Sequence, residues 1–306
     1  MTTAVVFAYH NVGVRCLSVL LAHGIDVKLI FTHEDNPQEN IWFGSVAQLA
    51  NDYRLRTVTP KDPNTTEWIT ELERIHPDFI FSFYYRHMLK PEILACAKHG
   101  TYNMHGSLLP KYRGRVPVNW AIIHGETETG ATLHQMLVKP DAGAIAAQQA
   151  VPILPNDTAF DVFQKVTVAA EMALDKALPD IINGSVKLVE QDLSRGSYFS
   201  GRKAEDGRVD WRQSATQIHN LIRAVAPPYP GAFAEIAGKT LHFLRSRVLT
   251  EPARHTQPGF YWDNGRLRVE LADRSVLEIL QLEHEGKLLD QHAWTALFGS
   301  AAYNLN

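Results

Sequence analysis

Along the first half of the chain, short runs of consecutive apolar residues alternate with stretches whose apolar positions recur every three to four residues. That is the pattern of buried strands between amphipathic helices. The runs at 4–9, 27–32, 56–59, 78–83 and 101–104 predict strands, and 12–23, 45–53, 65–75 and 91–98 predict the helices between them. Gly24 and Gly100 stand where a helix should stop. A loop at 106–117 and a short helix at 118–124 follow. Two further strands, 131–138 and 144–153, are separated by Lys139-Pro140-Asp141-Ala142-Gly143. Thr158 then caps a long amphipathic helix that carries Asp161 in its first turn, runs to about Ile182 and closes at Asn183-Gly184. This alternation predicts an α/β domain: a Rossmann-like, mostly parallel sheet with helices on both faces.

Near residue 200 the periodicity lapses. Residues 194–210 are polar and Gly-rich, which places a boundary between a first domain, 1–200, and a second, 201–306. The second opens with a helix at 215–225 and the turn Pro227-Pro228-Tyr229-Pro230-Gly231. Strand-like pieces follow at 232–236, 240–248, 266–271 and 275–282. Short strands at close spacing predict a small β-barrel or sandwich.

Composition narrows the function. With 306 residues, 45% of them hydrophobic and 21% charged, the chain can build a full core. Lys plus Arg number 30 against 33 Asp plus Glu, with no block of like charge, so no nucleic-acid partner is expected. Cys16 and Cys96 lie in apolar stretches without a CxxC pair, which argues against a disulfide framework or a zinc site and fits a reducing, cytoplasmic setting. In that setting the Asn-x-Ser/Thr triplets at Asn64, Asn156 and Asn183 carry no weight. No apolar run approaches the roughly 18 residues of a membrane span, and the N-terminus lacks a signal-peptide core, so no membrane insertion is expected.

Several signatures fail. The turn after the first strand, His10-Asn11-Val12-Gly13-Val14-Arg15, is no dinucleotide fingerprint. Gly238-Lys239-Thr240 mimics the end of a P-loop, but Phe233 occupies the required upstream glycine position. Neither HExxH nor GxSxG occurs. What remains is Asn103-Met104-His105-Gly106-Ser107-Leu108-Leu109-Pro110-Lys111-Tyr112-Arg113-Gly114. Two positions apart on a strand, Asn103 and His105 share a face, so an amide donor for an oxyanion sits beside a proton-carrying imidazole. Gly106 leaves room for a close approach. The carboxyl ends of the predicted strands also carry His10, Asn11, Thr32, His33 and Tyr84-Tyr85-Arg86-His87, and ligands of open α/β sheets bind at that edge. Asp141 can reach the same edge and raise the pKa of an imidazole, although Asp in Pro-Asp-Ala-Gly also suits a plain turn.

These residues resemble the folate-dependent formyltransferase family, whose pattern is Asn-x-His-x-Ser-Leu-Leu-Pro with a later Asp in an Asp-x-Gly turn; Asn103, His105 and Asp141 match it. The resemblance implies that these three are catalytic, that the C-terminal domain is OB-like, that 10-formyltetrahydrofolate is the co-substrate and that no metal takes part. It places His87, Met88, Leu89 and Arg115 beside the folate. Leu137, Val138, Lys139, Pro140 and Asp141 would line the pterin largely through backbone groups, and a cis peptide is implied at Leu109-Pro110. The stretches FIFSFYYRH (79–87), HGSLLPKYRGR (105–115) and GETETGATL (125–133) resemble the members that formylate UDP-4-amino-4-deoxy-L-arabinose in lipid A modification and polymyxin resistance. A small nucleotide sugar is therefore the expected partner, with Tyr112, Arg113, Arg202 and Arg223 as candidate contacts. Another nucleotide-linked amino sugar is a rival acceptor. Initiator tRNA is a weaker one, because the segment 32–39 is short and acidic where a polyanion would need positive charge. A non-catalytic folate or nucleotide-sugar binder would have no use for all three of Asn103, His105 and Asp141.

Overall fold

The computed structural model describes residues 1–305. In chain order its elements begin with β1 Thr3–Ala8, α1 His10–Ala22, β2 Asp26–Phe31, α2 Val46–Asp52, β3 Thr57–Val58, α3 Thr66–Ile75, β4 Phe79–Phe83, α4 Pro91–Leu94 and β5 Gly100–His105. There follow β6 Arg113–Gly114, α5 Pro117–Ile123, β7 Glu128–Gln135, β8 Ile145–Pro152, α6 Ala159–Ile182 and β9 Tyr198–Phe199. The rest are α7 Ala215–Val225, β10 Ala232–Ile236, β11 Lys239–Leu249, β12 Gly259–Asp263, β13 Arg266–Glu270, β14 Val276–His284, β15 Lys287–Leu288, α8 Gln291–Phe298 and β16 Ala302–Asn304.

The chain forms two compact units. The first, Met1–Pro117 with Glu128–Val151 and Phe163–Ser200, holds a seven-stranded sheet in the order β3-β2-β1-β4-β5-β7-β8. The pairs β1/β2, β1/β4, β2/β3 and β4/β5 are parallel, whereas β5/β7 is antiparallel. β1, β2 and β4 carry the buried apolar runs of a sheet covered on both sides. Val5 and Phe7 of β1 point into a cluster with Leu29, Phe31, Ile80, Leu72 of α3 and Ile93 of α4. On the opposite face α1 lies so near that a Cβ on Gly13 would stand 3.2 Å from the Ala8 side chain and 3.0 Å from Val46. The strand order reverses between β1 and β4, which opens a crevice beyond their carboxyl ends. The sequence expectation for β7 is displaced: the strand ends at Gln135, because Gln135 N–H already donates to Ala144 at the base of the following loop, so 136–138 are loop residues.

The second unit takes Val118–Thr127, Pro152–Val162 and the chain from Gly201 onward. Its antiparallel sheet, β10-β11-β14-β13-β12-β16 with β15 beside β14, curls as a half-barrel around Phe243, Phe260, Leu241, Val269 and Trp294, with α7 contributing Ile218 and Ile222. β12, α8 and β16 have no counterpart in the sequence reading. The run Gly-Phe-Tyr-Trp-Asp of β12 does not alternate between apolar and polar, and only its pairing to β13 and β16 makes it a strand.

Candidate active site

The end of β5 sends Asn103 and His105 to one face of the sheet and Met104 to the other. Antiparallel β7 sets His134 opposite Asn103 and Thr132 opposite His105, so a second imidazole joins the same face. His134 is almost wholly buried, at 2% exposed. Its Nδ1 lies 2.8 Å from the carbonyl of Gln135, which can only accept, so Nδ1 carries a hydrogen. Nε2 then accepts from the Asn103 amide, with Nδ2 at 3.2 Å.

His105 is held at both ring nitrogens. Nε2 donates to the Tyr112 carbonyl at 2.8 Å, and Nδ1 faces Asp141 Oδ1 at 3.5 Å. Tyr112 reaches back because the loop after β5 folds on itself. Ser107 Oγ donates to the Lys111 carbonyl, Thr132 Oγ1 donates to the Ser107 carbonyl and accepts from Leu109 N–H, and the Leu109–Pro110 peptide is cis. Asp141 enters from the loop between β7 and β8 at φ +51°. Its Oδ2 accepts from the Gly114 N–H at 2.9 Å, and Oδ1 stands 3.6 Å from His134 Nε2. Gln191 Nε2 donates to the carbonyls of Asp141 and Gly143, tying that loop down. Gly106 is where a side chain comes close: a Cβ there would collide with Tyr84 Oη.

Electrostatics correct one expectation. Burial is the largest influence on His105 and lowers its pKa from the ordinary value; Asp141 and the Tyr112 carbonyl pull upward without reversing it. The ring is therefore kept as a neutral base at neutral pH, where the sequence reading expected Asp141 to keep it protonated. Burial also pushes Asp141 upward, but His105 and the Gly114 amide hold its carboxyl well below the usual range.

Beside this site the residues after β4 are tied to the acidic segment 32–39. Arg86 pairs with both oxygens of Glu39 at 2.8 and 2.9 Å and lies over the Tyr9 ring, and Tyr9 Oη donates to Asp35 at 2.7 Å. His10 stacks on Phe43, with ring centroids 3.8 Å apart.

The other sequence candidates fall in different places. Met88, Leu137 and Val138 expose apolar side chains, Arg115 and Lys139 are exposed, and Pro140 is half-buried next to Asp141. His87 sits against His33, with ring centroids 5.1 Å apart. Leu89 is a correction: its side chain is buried in the sheet core with Phe7 and Ile93, so only its backbone is left to border a ligand. The Tyr112 ring stacks on Phe199, and its part in the site is its carbonyl. Arg113 pairs its backbone with β9, while its Nε is buried without a hydrogen-bond partner. Within the second unit Arg202 lies over the Trp120 ring at 4.7 Å and donates to the Asp206 carbonyl. Arg223 is a second correction. It is buried, with Nε on Asn220 and Nη1 on the carbonyls of Leu154 and Asp157, so the guanidinium braces a turn.

His134 is the site residue that sequence reasoning missed. Its only local signal is a polar residue at an inward position after Leu133, and its role needs the β5/β7 register. Among the described residues no group of three or more His, Cys, Asp or Glu is arranged to hold a metal ion, and no helix is long and apolar enough to cross a membrane.

The Rossmann-like sheet thus carries Asn103, His105 and Asp141 at its carboxyl edge, and an antiparallel half-barrel follows it in the chain. Residues 16–178 match the formyl transferase family and residues 202–298 the formyl transferase C-terminal domain. The chain belongs to the formyl transferase family. The same fold occurs in the N-formyltransferase from Helicobacter canadensis, solved with folinic acid and dTDP-3-aminofucose. That likeness has a TM-score of 0.74 and 23% identity and covers 91% of this chain and 99% of that one. WlaRD, a sugar 3N-formyl transferase solved with dTDP and 5-N-formyl-THF, matches with a TM-score of 0.71 at 23% identity, covering 94% of this chain and 99% of that one. A 4-N formyltransferase from Francisella tularensis matches at 0.63 and 20% identity, with 78% and 95% covered.

Proposed function

We propose that this protein transfers a formyl group from 10-formyltetrahydrofolate to the 4-amino group of UDP-4-amino-4-deoxy-L-arabinose, with Asn103, His105 and Asp141 as the catalytic residues. The observation that carries the reading is the convergence of an amide, a neutral imidazole and an ionised carboxylate on one nearly closed face beyond β5. The residues present fit a folate. Met88, Leu137 and Val138 leave apolar side chains exposed, and such side chains suit the flat ring of a folate. When bound, 10-formyltetrahydrofolate supplies a formyl group activated for departure from N10.

The chain's residues then act on the charges that develop. Asn103 Nδ2 keeps one hydrogen on His134 and offers the other to the formyl oxygen as it gains negative charge. His105 Nδ1 takes the proton shed by the attacking sugar nitrogen, and Asp141, 3.5 Å away, stabilises the imidazolium so formed. The same proton is available to the departing N10, so the step balances. Arg113, with Nε buried and unpaired, supplies a guanidinium for an anionic part of the acceptor.

A nucleotide-linked amino sugar as acceptor is supported by relatives of this fold solved with dTDP and dTDP-3-aminofucose. The choice of UDP and arabinose rests on the resemblance of 79–87, 105–115 and 125–133 to UDP-4-amino-4-deoxy-L-arabinose formyltransferase, the formylating part of the bifunctional polymyxin-resistance protein. The test is incubation with 10-formyltetrahydrofolate and UDP-4-amino-4-deoxy-L-arabinose, with mass spectrometry of the nucleotide sugar and His105→Ala in parallel. Formylated product that disappears in the variant is expected. Product only from dTDP-linked amino sugars would overturn the arabinose assignment, and product from none would overturn the whole reading.

A further inference from the structure

We propose that His134 is a positioning residue that fixes which end of the Asn103 carboxamide faces the reacting oxygen; the inference rests on the catalytic role just assigned to Asn103. An asparagine side chain has two nearly isosteric ends, and only the NH2 end can donate to an oxyanion. Nothing in the strand ladder distinguishes the two, because the β4 and β5 hydrogen bonds involve the backbone alone. His134 makes the choice. Its Nδ1–H is committed to the Gln135 carbonyl at 2.8 Å, which leaves Nε2 as a bare acceptor aimed at Asn103 at 3.2 Å. An acceptor there draws the NH2 end and repels the carbonyl end.

The arrangement is rigid. His134 is 2% exposed, stands opposite Asn103 in the β5/β7 register and is tied through Nδ1 to Gln135, so the ring cannot turn away without breaking that bond within the packed face. Its Nε2 is also 3.6 Å from Asp141 Oδ1. If Nε2 bore the hydrogen, it would turn to the carboxylate and the amide would lose its selector. The tautomer of a buried ring that touches no reacting atom thus sets the polarity of the oxyanion donor.

The test has two arms. The first needs no substrate: 15N NMR of the histidine rings in the full chain at pH 8 should show His134 with Nδ1 protonated and Nε2 bare. The Asn103 side-chain NH2 resonances should collapse toward solvent-like positions in His134→Leu. A protonated Nε2, or Asn103 resonances indifferent to the variant, would overturn the proposal. The second arm is kinetic. His134→Leu should lower kcat about tenfold or more with KM nearly unchanged, because a large share of amides adopt the unproductive orientation. His134→Gln, whose Oε1 can accept from the same NH2, should recover most of the loss. Equal losses in both variants would mark a packing role and overturn the proposal. Absence of formyl transfer by the wild type from 10-formyltetrahydrofolate to any amino sugar would instead overturn the functional reading, and the NMR arm would still decide whether His134 orients Asn103.

Discussion

The imidazole of His105 is suspended between a carbonyl it donates to, Tyr112 at 2.8 Å, and a carboxylate that faces its other nitrogen, Asp141 at 3.5 Å. The ring cannot rotate without losing the Tyr112 bond, so proton exchange is confined to Nδ1. Because the pocket is nearly closed to water, the charge on that one atom is set by the competition between desolvation and Asp141.

Burial wins that competition, which fixes the sign of the pH dependence. The neutral ring is the active base and its pKa is lowered, so activity is retained as pH falls through the ordinary histidine value of about 6.5 and is lost only below it. Asp141→Asn removes an upward influence and should move the acid limb of kcat/KM to still lower pH while reducing kcat. A limb centred above pH 7 in the wild type would contradict the assignment.

Asn103→Ala removes the oxyanion donor and should reduce kcat on the order of 10²–10³, with folate binding nearly intact. Steady-state kinetics with equilibrium titration of the folate separate the two effects. A variant that keeps most of its kcat would remove Asn103 from the chemistry.

Gly106→Ala forces a methyl group against Tyr84 Oη, where only hydrogen fits. The expected cost is about 1–3 kcal/mol of stability, with displacement of the loop that begins beside His105. Tyr84→Phe in the same chain should restore part of it, and a double-mutant cycle by urea unfolding measures the coupling.

Stability should fall as the solution is acidified below about pH 6.5. Burial, followed by the charge of Arg86, lowers His10 to about 3. Burial also lowers His33 to about 4, with His87 and Arg86 adding to it. Between those values and the unfolded value near 6.5 the unfolded chain binds more protons, so stability rises with pH across that window and is lost on descending through it. His10 contributes at most about 1.4 kcal/mol per pH unit there. Urea midpoints at pH 7 and pH 5 should differ, and His10→Gln should flatten the difference.

Arg223→Ala leaves the carbonyls of Leu154 and Asp157 without their buried donor. A loss of about 2–4 kcal/mol is expected, with KM for the acceptor unchanged in the protein that remains folded. A raised KM at full stability would return Arg223 to the substrate.

What the chain determined by itself is what depends on neighbours in sequence. The alternation of apolar runs and helical periods gave the α/β order, and the two-residue pleat put Asn103 and His105 on one face. The Pro-Asp-Ala-Gly stretch marked Asp141 as a turn residue within reach of the same sheet edge, and its positive φ came only with the fold. What depends on pairing across long separations could not be read this way. The β5/β7 register brings His134 to Asn103, 31 positions away, the loop from Gly106 carries the Tyr112 carbonyl back to His105, and Tyr84 from the end of β4 comes up against Gly106. The aromatic β12 became a strand only through its partners, and Arg223, a plausible anion binder by type, was turned inward by carbonyls from a distant turn. The sign of the His105 shift was decided last of all. Opposing a nearby carboxylate against burial is a contest whose outcome rests on how much water the folded walls exclude, and only the tertiary structure builds those walls.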